Sequence, residues 1–103
     1  MKNEFGLSSE DMSFIINVIK QYNEVEKAVI YGSRAMGNFK NGSDVDIALM
    51  GANVNFDTVS KIHFKLEEES PMPYFFDVTD YNHLESEDLK RHIEKFGKEI
   101  YSI

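Results

Sequence analysis

The sequence predicts an α/β (α+β) protein: a small mixed sheet of three to four strands packed against helices. Two kinds of segment alternate along its 103 residues. Some carry apolar side chains at helical spacing, and others are short apolar runs rich in β-branched and aromatic residues. Elements that alternate in this way form layered folds. The length predicts a single domain, 1–103, because a chain of this size buries one core.

The elements are expected in the order helix, strand, short helix, strand, helix, strand, helix. Ser8 and Asp11 form a capping-box pattern at the start of the first helix. Gly32 interrupts the first strand, and Pro71 ends the third helix. Ile100 completes the apolar stripe of the last helix. The predicted ranges are 8–22, 25–31, 33–38, 44–50, 57–69, 74–79 and 86–101.

Charge and composition exclude several classes of function. The chain has 11 Lys and Arg against 18 Asp and Glu, a net charge of -7. Binding to a long nucleic acid needs a basic surface, so we expect no such partner. The lack of cysteine excludes disulfides, a thiolate nucleophile and a Cys-based zinc site. Without a signal-peptide pattern or an apolar run of roughly 20 residues, we expect a soluble, cytoplasmic protein without membrane contact.

Two carboxylates, Asp44 and Asp46, stand one residue apart in "SDVDIAL". Residues i and i+2 of a strand face the same side, so both carboxylates project together. Such a pair is stable when water solvates both groups or when a cation lies between them. For this pair alone, an acidic strand start in solvent and a cation site both remain open.

Two neighbouring features favour the cation site. Gly32 and Ser33 follow a strand and precede a short helix, where free N–H groups can bind an anion. Asp77 interrupts the apolar run "YFFDVTD"; alone, it fits an exposed edge strand equally well. The helix between strands 44–50 and 74–79 favours a parallel pair, which would bring all three carboxylates to one face. Three such carboxylates suit a two-metal site for in-line displacement at phosphorus.

The stretch "GSRAMGNFKNGSDVDIAL" resembles the signature of the DNA polymerase β-like nucleotidyltransferase superfamily. That signature is Gly-Ser, a loop, and Ser-Asp-x-Asp followed by an apolar residue. The short chain and its later acidic strand resemble the minimal nucleotidyltransferase (MNT) branch, and the likeness covers nearly the whole chain. The resemblance implies a nucleotidyltransferase fold and activity: a hydroxyl acceptor attacks the α-phosphorus of a nucleoside triphosphate, by default ATP, and pyrophosphate leaves.

The resemblance also implies roles for single residues. Two Mg²⁺ ions would be bound by three catalytic carboxylates, Asp44, Asp46 and Asp77. The nucleotide-binding residues would be Gly32, Ser33, Arg34 and Ser43. Met36 departs from the pattern, because many MNT loops carry Arg or Lys there. The substitution removes one cation near the phosphates but leaves all three acids in place.

The resemblance further implies a partner. MNT proteins form one half of a two-gene system whose other half is a small all-helical protein, either a substrate-binding bundle or a HEPN-type toxin. We therefore expect AMP transfer to a hydroxyl on, or presented by, such a partner; a homodimer or a hetero-oligomer both remain open. The alternative is an antitoxin or non-catalytic subunit that acts by binding its partner. His83 and His92 show no spacing that suggests a metal site.

Overall fold

Helices and strands alternate along the chain, as the computed structural model shows for residues 2–103. The predicted capping box is present: the Asp11 N–H donates to the Ser8 hydroxyl at 3.0 Å. The helices are α1 (Ser9–Lys20), α2 (Ser33–Met36), α3 (Phe56–Glu68) and α4 (Glu87–Phe96), with a 3-10 turn at Tyr81–His83. The strands are β1 (Lys27–Tyr31), β2 (Val45–Met50), β3 (Phe76–Asp80) and β4 (Lys98–Ser102).

The four strands form one mixed sheet in the order β3-β2-β1-β4. β1 pairs antiparallel with both β2 and β4, and β2 pairs parallel with β3. A parallel neighbour needs a crossover connection, which α3 supplies. The predicted α+β class, with a small mixed sheet packed against helices, is therefore confirmed.

Helices pack against both faces of the sheet. On one face, alternate residues of β2 (Val45, Ile47 and Leu49) join the main core, together with side chains of α1 and α3. On the other face, Ala48 of β2 belongs to a smaller cluster that includes Ile93 of α4. Since Asp46 and Ala48 are two residues apart in the strand, α4 covers part of the face toward which Asp46 points.

The predicted last helix, 86–101, is wrong over its last five residues. α4 ends at Phe96, and the chain then forms the edge strand β4. Gly97 makes the turn: its N–H donates to the Ile93 carbonyl, and a Cβ at this position would stand 2.4 Å from that oxygen. Ile100 packs against the main core, on the sheet face opposite α4. Pairing of β4 with the free edge of β1 outweighs the helical spacing of these residues.

Other boundaries differ by a few residues. The short helix predicted over 33–38 ends at Met36, and the strand predicted from Tyr74 begins at Phe76. Across residues 2–103, no helix has the length and apolar character needed to cross a membrane.

Candidate active site

A row of three polar side chains crosses the sheet on the face that α4 partly covers. Asp46 of β2 is in register with Asp77 of β3 on one side and with Tyr31 of β1 on the other. Residues in register on neighbouring strands share a face, and the strands lie about 4.8 Å apart. The sheet topology thus brings together two of the predicted carboxylates, which are 31 positions apart in the chain.

Asp44 lies beside the middle of this row, just before the start of β2 and two residues before Asp46. It precedes β2, and the Val45 N–H donates to the Phe75 carbonyl at 2.9 Å, so the backbone is already extended there. Asp44 and Asp77 are exposed, whereas Asp46 is half-buried. Two of the three carboxylates are therefore fully accessible to a ligand, and the third is partly accessible.

Gly32 makes the closest backbone approach to the row. Its φ is +74° and its ψ is -155°, a region that only glycine adopts readily. A Cβ on Gly32 would stand 2.2 Å from the Asp46 Oδ2. The predicted Gly-Ser turn therefore lies directly against the predicted metal ligand, and a side chain at position 32 would displace the carboxylate.

The surroundings of Asp46 favour the binding of a cation. Burial, together with the negative charges of Asp77 and Asp44, raises the pKa of Asp46 to about 6. The positive charge of Arg34 acts in the opposite direction. Near neutral pH the carboxylate is largely ionised in surroundings that disfavour its charge. A cation bound at the row would relieve this unfavourable electrostatic environment.

The three carboxylates suit Mg²⁺ by their chemistry, because carboxylates and phosphate oxygens are the ligands this ion prefers. Among the described residues, no three His, Asp or Glu side chains form a ready-made metal-binding group. The strand register brings Asp46 and Asp77 side by side, and Asp44 lies two residues before Asp46. The metal assignment of these three residues thus remains a prediction, supported by register and charge.

Tyr31 is a member of the row that sequence reasoning missed. Its ring is buried, and its hydroxyl lies 3.0 Å from the Thr79 Oγ1. Burial, with a contribution from the nearby Asp77 and Asp46 carboxylates, raises the pKa of Tyr31 to about 12. The phenol therefore stays protonated and forms part of the floor of the site. Antiparallel pairing of β1 with β2 places some residue of β1 opposite Asp46. Only the observed register identifies that residue as Tyr31.

Arg34 and Ser43, both predicted to bind nucleotide, contact each other instead of open solvent. The Arg34 side chain is 2% exposed, and its Nε and Nη2 donate to the Ser43 carbonyl at 3.0 and 2.8 Å. Its Nη1 donates to the Phe5 carbonyl at 2.8 Å, and its guanidinium lies between the rings of Phe39 and Tyr74. The Ser43 hydroxyl accepts the Lys40 N–H at 2.9 Å. These contacts brace the loop before Asp44, and a direct nucleotide contact by either residue remains a prediction.

His92 is the second residue that sequence reasoning missed. It projects from α4, and its Nε2 accepts the Gly32 N–H at 3.1 Å. Its ring meets the Tyr31 ring edge-on at 6.1 Å and lies 5.2 Å from that of Phe96. No sequence pattern indicates this contact, because the two bonded residues are 60 positions apart.

Solved structures with a similar fold include proteins of toxin–antitoxin systems. A toxin–antitoxin structure with AMP-PNP matches with a TM-score of 0.75 at 20% identity, over 89% of this chain and 73% of that one. A complex of a tri-AMPylated Shewanella oneidensis HEPN toxin with an MNT antitoxin matches with a TM-score of 0.70 at 18% identity, over 91% and 71%. At these identities the similarity shows the fold alone, and it confirms the predicted MNT-type fold.

The sequence itself establishes the family. Residues 14–103, which include the row and the loop before it, match the family described as polymerase beta, nucleotidyltransferase. The chain belongs to that family, as its resemblance to the polymerase β-like signature predicted. A search of curated proteins finds no significant match to this chain.

Proposed function

We propose that the protein is a Mg²⁺-dependent nucleotidyltransferase that transfers AMP from ATP to a hydroxyl acceptor. The observation that carries the proposal is the register of Asp46 with Asp77, combined with the contact of Gly32 against Asp46. Family membership supports the reaction class. ATP as the substrate is consistent with action in the cytoplasm.

The proposed reaction is an in-line displacement. The acceptor oxygen forms a bond to the α-phosphorus, the bond to the bridging oxygen of the β-phosphate breaks, and pyrophosphate leaves with that electron pair. Asp77 is exposed and receives the acceptor proton in this scheme. Two Mg²⁺ ions, held by Asp44, Asp46 and Asp77, would neutralise the phosphate charge.

The chain's own residues set the direction of the displacement. The β- and γ-phosphates are proposed to lie at the Gly32–Ser33 turn, which follows β1. The leaving pyrophosphate and the attacking oxygen must lie on opposite sides of the α-phosphorus. Because the strand order is β3-β2-β1, the acceptor then approaches from the β3 side, where Asp77 is exposed. The position of Asp77 thus agrees with its proposed role.

A small all-helical protein is the proposed partner, which carries or presents the acceptor hydroxyl. Two of the matched solved structures are toxin–antitoxin complexes, one of them with a tri-AMPylated HEPN toxin. By analogy we propose a HEPN-type toxin in preference to a substrate-binding bundle. Such a hetero-oligomer would supply the acceptor contacts for which this small fold offers little surface.

A second candidate function is that of an antitoxin or non-catalytic subunit. Met36, the last residue of α2, is 45% exposed at the position where many MNT loops carry Arg or Lys. In addition, no three His, Asp or Glu side chains among residues 2–103 form a ready-made metal-binding group. This alternative predicts that the protein neutralises its partner equally well after Asp46→Asn and without ATP. Neutralisation that requires both ATP and Asp46 would exclude it.

The test of nucleotide binding is a ¹⁵N NMR titration of the full chain with MgATP. Wild type should show Mg²⁺-dependent shifts at Ser33, Asp44 and Asp77, and Asp46→Asn should lose them. Asp57→Asn is the matched control, because it removes the same charge from an exposed pair with Lys61 on α3, a pair that contributes little to stability. Equal binding by wild type and Asp46→Asn would contradict the assignment.

A further inference from the structure

The Gly32 N–H already has an acceptor inside the protein. His92 Nε2 takes it at 3.1 Å. Since the amide is the donor, Nε2 is the unprotonated nitrogen, and the ring proton lies on Nδ1. The Nε2 lone pair that accepts this amide would repel a phosphate oxygen that approached the Gly32 N–H. Gly32 therefore cannot donate to a phosphate while this bond is intact.

The imidazole is held in place by its neighbours. Its ring packs edge-on against Tyr31, which is 5% exposed, and lies beside Phe96. Both contacts lie between the sheet and α4. Because Tyr31 forms part of the floor of the site, moving the His92 ring would also disturb that floor. The bond thus links α4 to the turn between β1 and α2.

The same bond fixes a backbone conformation with unusual demands. Gly32 combines a positive φ with close contact to Asp46, and its carbonyl accepts the Met36 N–H in the first hydrogen bond of α2. Rotation of the Gly32 peptide would therefore change both the spacing to Asp46 and the direction of the following residue, Ser33. An anchored amide prevents that rotation.

We propose that His92 is a positioning residue of the nucleotide site: it holds the Gly32 amide, so that Gly32 serves as a spacer against Asp46 and Ser33 provides the donors to the triphosphate. The inference rests on the proposed function and deepens it, because it divides the roles of the Gly-Ser pair. Gly32 supplies shape, and Ser33 supplies its N–H and hydroxyl.

The test uses the ¹⁵N-labelled chain, residues 1–103, with MgATP as the probe. The variants are His92→Phe, which keeps a ring against Tyr31 but cannot accept a hydrogen bond, and His92→Gln, whose amide oxygen can accept one. His83→Phe is the matched control, because His83 is an exposed histidine of the 3-10 turn. Three quantities are measured: Gly32 amide exchange without nucleotide, Tm, and the Kd for MgATP.

We expect the Gly32 amide of His92→Phe to exchange at least about tenfold faster than in wild type. Its Kd for MgATP should be weaker by roughly three- to tenfold, the effect of one net hydrogen bond. His92→Gln should recover most of both losses, and His83→Phe should match wild type. In wild type, MgATP should shift the Ser33 amide more than the Gly32 amide, which stays protected. A purely structural role would lower Tm without the selective loss of MgATP affinity.

Two results would overturn the proposal. One is equal or tighter MgATP binding by His92→Phe, which would make the imidazole irrelevant or a competitor of the phosphate. The other is faster exchange of the Gly32 amide in wild type when MgATP binds, which would show that the amide leaves His92 for the ligand. Failure of wild type to bind MgATP would overturn the proposed function and this role with it. Gly32 exchange without nucleotide would still show whether the His92 bond exists, so the two failures are distinguishable.

Discussion

The substitution Gly32→Ala probes the tightest contact of the site. It adds a methyl group that would stand 2.2 Å from the Asp46 Oδ2, on a residue with a φ of +74° and a ψ of -155°. The backbone strain costs on the order of 1–3 kcal/mol for a non-glycine residue, and overpacking adds a similar amount. We expect the free energy of unfolding to fall by about 3 kcal/mol, which lowers Tm by roughly 12–24 °C for a domain of this size.

Gly37→Ala is the matched control. Gly37 also has a positive φ, +84°, but a Cβ there would meet nothing within 4 Å. Only the left-handed backbone conformation then contributes, about 1–2 kcal/mol. Urea denaturation followed by circular dichroism measures both variants. The difference between them contains the contact with Asp46 and the greater backbone strain of Gly32, whose ψ of -155° lies outside the left-handed helical region.

A double-mutant cycle completes this test. Asp46→Ala removes the atom that the new methyl group would meet, so Gly32→Ala should cost at least about 1 kcal/mol less in that background. Equal stability of Gly32→Ala and Gly37→Ala, with additive effects in the cycle, would refute the close approach of Gly32 to Asp46.

Three further predictions concern Asp46, Arg34 and Tyr31. The pKa of Asp46 is raised from its ordinary 3.8 to about 6. The folded state therefore binds the proton of this carboxyl more tightly than the unfolded state does. The resulting contribution to stability is lost as pH rises from about 4 through about 6. Mg²⁺-free urea denaturation should therefore find Asp46→Asn more stable than wild type by about 1 kcal/mol at about pH 7.5, after allowance for solvent screening, and nearly equal at about pH 4. Arg34→Met should lower the free energy of unfolding by about 2–4 kcal/mol, since it leaves two carbonyls without their donors. Lys65→Met, at a half-buried lysine that contacts the Tyr22 ring, should cost under about 1 kcal/mol by the same assay. Tyr31→Phe should lose about 1 kcal/mol, for the bond to Thr79, and should leave the Kd for MgATP unchanged in calorimetry.

The local features of the fold were predictable because their causes lie within a few residues. The Ser8 capping box and the crossover helix between two apolar runs both follow from short-range rules. The same rules led to the prediction that Asp77 joins Asp46 on one face, and the register agrees. Strand alternation and a parallel crossover were sufficient for that step.

Features that depend on distant partners were not predictable. The helical spacing that includes Ile100 is real, but pairing with β1 makes that segment a strand. Arg34 looks like a phosphate ligand in sequence, yet two carbonyls and two rings from separate segments enclose it. The bond of His92 to Gly32 is likewise visible only once α4 is placed on the sheet. In each case the deciding contact lies in tertiary structure.

The most direct test of nucleotidyl transfer follows the label of radioactive ATP. The protein is incubated with its copurified partner, Mg²⁺ and either [α-³²P]ATP or [γ-³²P]ATP, and labelled protein is measured after denaturing electrophoresis. We predict label on the partner from the α-phosphate only, lost with Asp46→Asn and Asp77→Asn and retained with Asp57→Asn. Label from the γ-phosphate, or α-label that survives both active-site substitutions, would contradict the assignment of these carboxylates to nucleotidyl transfer.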